Sequence, residues 1–237
     1  RMGANMTQRL LDGGHRVVVS DLNAEAVAAS AKAGAVAASS LADLVAKLPQ
    51  RRAVWMMVPS GAPTQSTVDQ LSPLLAKGDI IIDGGNSNYH DSMRRADELR
   101  TRGIEYVDAG TSGGVWGLKE GFCLMVGAPS GAFAHIEPAL KTLAPPDGYA
   151  HVGPNGAGHF TKMVHNGIEY GMMAAYGEGF ELLAGSKFDL DLRQIAGLWR
   201  RGSVVRSWLL DLAELAFERD ARLESIKGYV QDSGEGR

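Results

Sequence analysis

Five polar side chains between positions 162 and 170 have types and spacing that could do chemistry. Lys162, His165, Asn166, Glu169 and Tyr170 follow one another at i, i+3, i+4, i+7 and i+8. This spacing predicts that all five lie on one face of a single helix. An amine, an imidazole, an amide, a carboxyl group and a phenol on one stripe can bind hydroxyl groups and move protons. The competing interpretation is the solvated face of an ordinary amphipathic helix.

The rest of the same segment favours a site over a solvated face. We expect an apolar stripe on the opposite side of the helix to face a core; it consists of Met163, Val164, Ile168, Met172 and Met173. Each glycine inside a helix costs about 1 kcal/mol relative to alanine. The glycines in or beside this segment therefore indicate close packing against another backbone or a ligand; they are Gly156, Gly158, Gly167, Gly171, Gly177 and Gly179.

Composition limits the class of protein. The 237 residues carry a formal net charge of -3, so no basic surface argues for a nucleic-acid partner or an anionic membrane surface. No apolar run approaches the roughly 18 residues that a membrane-spanning helix needs. The single cysteine, Cys123, excludes an intrachain disulfide and fits a reducing, cytoplasmic compartment. It stands in an apolar run and is interpreted as a core residue.

Short apolar runs alternate with helical patterns over the first 150 residues. Strands are predicted at 16–20, 53–58, 79–83, 105–108, 122–126 and 150–152, and helices at 6–13, 24–33, 40–48, 64–75, 91–102 and 132–143. Apolar runs that are each followed by a helix predict a mostly parallel sheet covered on both faces. The expected fold class is therefore α/β, a doubly wound, Rossmann-like sheet, with ligands at the carboxyl ends of its strands.

Beyond a turn-rich stretch around Pro154 only helical patterns continue, through about residue 185 and then over 191–200 and 203–219. We expect a dinucleotide-binding domain over residues 1–153 and the start of an all-α domain over residues 154–237. The chain opens inside a helical pattern and stops without a closing element. Both ends are therefore interpreted as cuts through a longer polypeptide, with the first strand missing.

One carboxylate stands where a dinucleotide fold uses one. Asp21 ends the first predicted strand, where an acidic residue binds the adenosine ribose and repels a 2′-phosphate. An alternative is that Asp21 or Asn23 only caps the following helix. No arginine adjoins Asp21, which favours NAD over NADP. Met2 and Gly3 would suit the end of a phosphate-binding turn.

Further strand ends carry small and polar residues that fit a ligand crevice. Val58, Pro59 and Ser60 follow one strand, and two glycines and Asn86 follow the next. After a later strand, Ser112, Gly113 and Gly114 offer a hydroxyl and accessible backbone N–H groups that suit a carboxylate. Each of these segments alone could be an ordinary turn.

Together these motifs closely resemble the 6-phosphogluconate dehydrogenase family, over essentially the whole chain. The matching segments are Asp83-Gly84-Gly85-Asn86-Ser87, Ser112-Gly113-Gly114 and the run from Lys162 to Tyr170. The resemblance is to the shorter, NAD-using branch, because Asp21-Leu22-Asn23 replaces a basic NADP-type sequence and Pro59 replaces a lysine.

The resemblance implies a role for each site residue. Lys162 would be the general base, with a depressed pKa, and Glu169 the general acid. His165 and Asn166 would bind substrate hydroxyl groups, with Asn86, Ser112, Gly113 and Gly114 as further substrate ligands, and Tyr170 and Arg237 would hold the phosphate. Met2, Gly3, Asp21, Leu22, Asn23, Val58, Pro59, Ser60 and Asn86 would bind NAD. The implied substrate is 6-phosphogluconate, no metal is needed, and the implied assembly is a homo-oligomer, a dimer or a tetramer.

Two other functions stay open at this point. A 3-hydroxyacid dehydrogenase of the same superfamily would share the Ser-Gly-Gly segment and the lysine, but not His165, Glu169 and Tyr170, and would release no CO2. A non-catalytic dinucleotide-binding protein would keep the fold without turnover, and the intact Lys162 and Glu169 argue against it.

Overall fold

The structure, a computed structural model, describes residues 2–226, and the chain divides into one compact unit ending at Met163 and a second starting at Val164. The strands are β1 (Val18–Val19), β2 (Val36–Ala37), β3 (Ala53–Met56), β4 (Ile80–Asp83), β5 (Glu105–Ser112), β6 (Cys123–Gly127) and β7 (Tyr149–Gly153). The α-helices are α1 (Met2–Asp12), α2 (Ala24–Lys32), α3 (Leu41–Ala46), α4 (Ala62–Leu71), α5 (Tyr89–Arg100), α6 (Gly117–Glu120), α7 (Ser130–Leu143), α8 (Ala157–Ala184), α9 (Leu192–Trp199) and α10 (Trp208–Arg219). A short 3-10 helix covers Gly114–Trp116.

A five-stranded sheet with the order β3-β4-β5-β6-β7 forms the centre of the first unit, and β1 pairs with β2 separately. Every neighbouring pair is parallel except β5 and β6. Only residues 113–122 connect β5 to β6, and a parallel crossover needs about a dozen residues or more. The predicted doubly wound, mostly parallel sheet is confirmed, with this reversal inside it.

Side-chain alternation along the strands creates two cores. Ile80 and Ile82 of β4 face one side, where α1 and α7 contribute Met6 and Leu140. Ile81 faces the other side, where α3, α4 and α5 supply the residues Leu44, Val45, Val68, Leu71, Ala96 and Leu99. Successive side chains of a strand point to opposite faces, so a central strand buried on both faces must be apolar throughout.

The predicted elements are present, but several of their ends differ by a few residues, and α10 begins at Trp208 rather than at 203. The short helix α6 was not predicted. β5 continues to Ser112 rather than ending at Asp108, because its last five residues pair with β6. The two-residue strand β2 was not predicted, since so short a segment carries no periodicity. The interpretation of Cys123 as a core residue is wrong, because this first residue of β6 is exposed.

The second unit is helical, as predicted. From Val164 the helix α8 continues to Ala184, and α9 and α10 follow. Phe180, Ala196, Leu210 and Phe217 form its core. Side chains cap both later helices: Asp191 accepts from the N–H of Gln194, and Ser207 from that of Leu210.

The predicted boundary between residues 153 and 154 stays a prediction about domains; the compact units themselves divide within α8. Within residues 2–226, no helix has both the length and the apolar character that crossing a membrane requires.

Candidate active site

The start of α8 is bound to the sheet through a buried carboxylate. Asp108, Gly110 and Ser112 alternate along β5 and therefore face the same side. The two carboxylate oxygens of Asp108 accept hydrogen bonds from the backbone N–H groups of Gly156, at 2.7 Å, and His159, at 2.9 Å. Because the first N–H groups of a helix have no partner inside the helix, this carboxylate completes its N-terminus.

Glycines let the helix approach the strand closely. A Cβ atom on Gly158 would lie 2.2 Å from the carbonyl oxygen of Asp108, and one on Gly110 would lie 2.5 Å from Cβ of Lys162. Neither position has room for a side chain. The sequence-based expectation of close glycine packing is confirmed at Gly156 and Gly158. At Gly167, Gly171, Gly177 and Gly179 an added Cβ atom would meet no protein atom within 4 Å, so packing against the chain's own backbone is wrong there, and packing against a ligand stays a prediction.

Lys162 lies over Gly110 and is 7% exposed. Ser112 follows Gly110 by two residues on the same face, which is about 7 Å along a strand. After Ser112 the backbone turns through Gly113, at φ 126°, into the short helix that begins at Gly114. The buried Lys162 therefore packs on the face of β5 to which Ser112 also belongs.

The other residues of the predicted polar stripe belong to the second unit. Nδ1 of His165 lies 3.2 Å from Oδ1 of Asn166 and 3.8 Å from Oε2 of Glu169. Asn166 is 6% exposed, whereas Glu169 and Tyr170 are each about two-fifths exposed. A carboxylate and an imidazole one helical turn apart can exchange or share a proton.

The burial along α8 corrects the sequence analysis. The predicted apolar stripe is exposed at Val164, Ile168 and Met173, while Lys162 and Asn166 on the polar stripe are buried. Hydrophobic periodicity assigns the apolar face to the core. Burial of a charged side chain such as Lys162 is unusual and is typical of a functional site.

After β1, Asn23 caps the next helix, while the nearby Asp21 stays exposed. Asn23 caps α2, because its side-chain oxygen accepts from the N–H groups of Glu25 and Ala26. The carboxylate of Asp21 is exposed and accepts one bond, from the N–H of Asn23 at 2.8 Å. Leu22 between them is fully exposed. An exposed carboxylate beside an exposed apolar side chain fits a ribose and a flat ring of a dinucleotide.

The loops after β3 and β4 touch each other. An added Cβ atom on Gly85 would lie 2.9 Å from the carbonyl oxygen of Val58. In the first loop the carbonyl of Pro59 accepts from the hydroxyl of Thr64 at 2.8 Å. Ser60 is exposed and Asn86 is half-buried, so both can reach a ligand.

Buried Asp83 supports the second of these loops. It accepts hydrogen bonds from the hydroxyl of Ser87 at 2.6 Å, the phenol of Tyr106 at 2.8 Å and the N–H of Gly85 at 3.1 Å. Burial and the nearby Asp83 carboxylate raise the pKa of Tyr106, so this phenol stays a hydrogen-bond donor.

Two of the predicted cofactor residues begin α1. Met2 and Gly3 lie in the first turn of this helix, and the first backbone N–H groups of a helix are suited to a phosphate. Arg237 lies outside the described residues. No group of three or more His, Cys, Asp or Glu side chains suited to a metal ion occurs within residues 2–226.

The sheet, its loops and the start of α8 define a nicotinamide-dinucleotide dehydrogenase of the Rossmann type. Residues 1–153 match the family described as the NAD binding domain of 6-phosphogluconate dehydrogenase, and residues 158–187 match the C-terminal domain of that enzyme. The NAD(+)-dependent, decarboxylating 6-phosphogluconate dehydrogenase of Haloferax volcanii is 48% identical over 100% of this chain and 79% of its own length. The chain belongs to the 6-phosphogluconate dehydrogenase family.

Solved structures agree with this assignment. The 6-phosphogluconate dehydrogenase of Plasmodium falciparum, solved with its cofactor NADP+ and with its substrate 6-phosphogluconate, superposes with a TM-score of 0.89 at 26% identity. The alignment covers 99% of this chain and 54% of that one. A 3-hydroxyisobutyrate dehydrogenase of Salmonella typhimurium has a TM-score of 0.77 at 21% identity, over 91% of this chain and 74% of its own, which shows a shared fold alone.

Sequence reasoning missed the residues that join the start of α8 to β5. Asp108 was interpreted as the end of a strand, and Gly110 as part of a turn. Asp108, Gly110 and Ser112 do follow one another at every second position, so strand alternation was an available signal. The partners of Asp108 lie 48 and 51 positions away in the sequence, where no local pattern points to them.

Proposed function

We propose that this protein oxidises and decarboxylates 6-phospho-D-gluconate to ribulose 5-phosphate and CO2, with reduction of NAD. The observation that carries the proposal is a buried amine, Lys162, over Gly110 on the face of β5 that leads into Ser112, Gly113 and Gly114. A buried amine loses the hydration of its charged form, which favours the neutral amine that accepts a proton. A hydroxyl and a glycine-rich turn beside it suit the carboxylate of a sugar acid.

NAD, when bound, supplies the acceptor for the hydride that leaves C3 of the substrate. Asp21 would bind the adenosine ribose and Leu22 would contact the adenine. Met2 and Gly3 at the start of α1 would bind phosphate, and the loops with Val58, Pro59, Ser60 and Asn86 would line the nicotinamide end.

Lys162 removes the proton of the C3 hydroxyl as the hydride departs, so C3 becomes a ketone and Lys162 an ammonium. The resulting β-keto acid breaks its C1–C2 bond, CO2 leaves, and the electron pair moves toward the C3 oxygen. The Lys162 ammonium returns its proton to that oxygen, which yields an enediol. One residue therefore serves as base and then as acid.

The enediol must next be protonated at the carbon that lost CO2. Glu169 is assigned this step, since seven residues of helix separate it from Lys162 by about 10 Å along the axis. His165 and Asn166 would bind hydroxyl groups, and Tyr170 would bind the phosphate. His165, within 4 Å of Glu169, can supply or hold the proton that Glu169 transfers.

The preference for NAD is supported by the carboxylate of Asp21, which would repel a 2′-phosphate. The Haloferax volcanii relative is named as NAD(+)-dependent, in the same direction. A homo-oligomer is supported by the exposed apolar side chains of the second unit, among them Leu182, Phe188 and Leu198.

The test is a stoichiometric assay on the full-length protein with 6-phosphogluconate labelled with carbon-14 at C1. We expect one labelled CO2 for each NADH formed, and a higher kcat/KM with NAD than with NADP. NADH formation without release of the label would instead support a 3-hydroxyacid dehydrogenase. No reduction of either cofactor would contradict the proposal.

A further inference from the structure

We propose that Asp108 is a positioning residue for Lys162: by binding the first turn of α8 to β5, it fixes where the amine stands. The inference deepens the proposed function and rests on it, because it takes Lys162 as the group that accepts the substrate proton. Asp108 itself is fully buried beneath the helix and touches neither substrate nor cofactor in this account.

The cap that Asp108 provides differs from an ordinary helix cap. A usual N-cap side chain comes from the residue just before the helix and satisfies N–H groups without fixing the helix to anything else. Here both carboxylate oxygens come from a strand 48 and 51 positions earlier in the sequence. The same bonds that complete the helix therefore fix its distance and rotation relative to β5.

The residue before the N-cap position also binds the strand. Asn155, just before Gly156, donates its side-chain amide to the carbonyl oxygen of Tyr106 at 2.6 Å. Tyr106 and Asp108 are two residues apart on the same face of β5. The segment that leads into α8 is therefore hydrogen-bonded to two alternate residues of one strand.

The neighbouring glycines leave this arrangement little freedom. An added Cβ atom on Gly127 would lie 2.7 Å from both carboxylate oxygens of Asp108 and 2.7 Å from the nitrogen of Gly158. At Gly110 it would lie 2.8 Å from the carbonyl oxygen of Gly158, as well as against Lys162. Helix and strand are in backbone contact, so a small shift of the first turn moves Lys162 directly.

Helix α5 also binds the first turn of α8. Nδ1 of His159 lies 2.7 Å from the hydroxyl of Ser92 on α5, and both side chains are buried. The backbone N–H of His159 is one of the two groups bound by Asp108. His159 thus joins α8 to β5 and α5 one turn before Lys162.

Burial raises the pKa of Asp108, and the electrostatic effect of His159 together with the hydrogen bonds from the N–H groups of His159 and Gly156 offsets only part of that effect. A buried carboxylate that gains so little from its surroundings is a poor choice for stability alone. Its benefit in our account is geometric, since catalytic groups displaced by about 1 Å lose on the order of a hundredfold in rate.

The test compares Asp108→Asn with Asp79→Asn in the full-length protein. Asp79 is the matched control, because it is equally buried and also accepts two backbone N–H bonds, from Arg52 and Ala76, but lies just before β4. Asparagine keeps the shape of the side chain and can accept at only one of its two positions. We measure kcat and KM, and separately the acetylation rate of Lys162 by acetic anhydride relative to exposed Lys119, using mass spectrometry.

For Asp108→Asn we expect a loss of kcat of at least about tenfold, with KM for 6-phosphogluconate within about threefold, and at least about threefold faster acetylation of Lys162. Asp79→Asn should leave kcat and the acetylation ratio within about twofold of the wild type. These margins follow from the loss of rate expected when a catalytic group is displaced by about 1 Å.

Unchanged acetylation of Lys162 in Asp108→Asn would overturn the inference, whatever the activity. Unchanged kcat in an active enzyme would overturn it too, as would equal losses of kcat in both variants. If the wild type does not oxidise 6-phosphogluconate, the proposed function fails, and the acetylation ratio alone then decides whether Asp108 positions Lys162.

Discussion

The two ends of the central sheet each bury an aspartate, and the two are held differently. At the amino end, Asp79 accepts from the backbone N–H groups of Arg52 and Ala76 and forms an ion pair with the Arg52 guanidinium at 3.0 Å. Toward the carboxyl end, Asp108 accepts from the first N–H groups of α8. One aspartate joins two loops, and the other joins a strand to the helix that carries Lys162.

The pKa values of the two side chains shift in opposite directions. Burial acts to raise the pKa of Asp79, but its bonds with Ala76 and Arg52 outweigh burial and the pKa falls below its ordinary value. For Asp108 burial prevails and the pKa rises. The carboxylate at the amino end therefore stabilises the fold, while the carboxylate toward the carboxyl end is the less favourable one, which agrees with the positioning role that we propose for it.

Among the substitutions that compare the two ends of the sheet, we expect the largest loss of kcat at Lys162. Lys162→Met should lower kcat by at least about a thousandfold, because the proton acceptor is lost while the volume is nearly kept. Binding of NADH, followed by fluorescence titration, should be unchanged. Lys77→Met, an exposed change near the amino end, is the control and should leave kcat within about twofold. Steady-state turnover by Lys162→Met would refute its role as the base.

The next effect separates two steps of the reaction. Glu169→Gln should slow formation of ribulose 5-phosphate by about a hundredfold or more, because the proposed acid that protonates C2 of the substrate, the carbon that lost CO2, is removed. Reduction of NAD in a single turnover should slow much less. Glu178→Gln, an exposed change on the same helix, is the control. Rapid-quench and stopped-flow measurements that give equal slowing of both steps would remove Glu169 from its assigned role.

A third, smaller effect tests the contact beneath Lys162. Gly110→Ala would bring a Cβ atom to 2.5 Å from Lys162 Cβ. We expect it to lower stability by about 1–3 kcal/mol, the usual effect of overpacking, and to lower kcat about tenfold. Gly131→Ala at the start of α7 meets nothing within 4 Å and should be neutral or slightly stabilising. Urea unfolding and kcat measured together would contradict this account if both variants behaved alike.

The smallest effect is the pH dependence of stability. Asp79 has a lowered pKa in the folded state, so its contribution is present above the unfolded value near 3.8 and is lost as the pH falls. Asp108 has a raised folded pKa, so its contribution is greatest in acid and declines as the pH rises above about 3.8 through that folded pKa.

Urea unfolding of Asp79→Asn and Asp108→Asn between pH 3 and 7 checks these signs. Relative to the wild type, the Asp79 variant should be less destabilised as the pH falls. The Asp108 variant should be less destabilised as the pH rises. If the destabilisation of both variants changed in the same direction with pH, the proposed difference between the two aspartates would be contradicted.

The fold could be predicted from the sequence because it depends on local patterns of apolar residues. The isoleucines of β4 and the helices that follow each strand made a covered, mostly parallel sheet predictable. The antiparallel pairing of β6 was less accessible, since strand periodicity is the same in either direction. The exposed Cys123 at the start of β6 was missed for a related reason, because an apolar run does not reveal which of its ends is covered.

The sequence predicted which polar residues belong to the candidate site. It did not predict the residues that join the start of α8 to the sheet. The spacing from Lys162 to Tyr170 predicted the stripe, yet hydrophobic periodicity did not predict that Lys162 and Asn166 are buried while Val164 and Ile168 are exposed. Asp108, Gly110 and Gly158 act through contacts with residues far away in the sequence. Such contacts become visible only once helix and strand are seen together.

The central claim is that the amine of Lys162 takes the C3 hydroxyl proton of a bound sugar acid. A crystal structure of the full-length protein with 6-phosphogluconate and a non-reactive NAD analogue would test it most directly. We predict that Nζ of Lys162 lies about 2.6–3.2 Å from the C3 oxygen, the reach of a general base. A substrate whose C3 oxygen lies beyond that reach, with Lys162 directed away from it, would contradict the account.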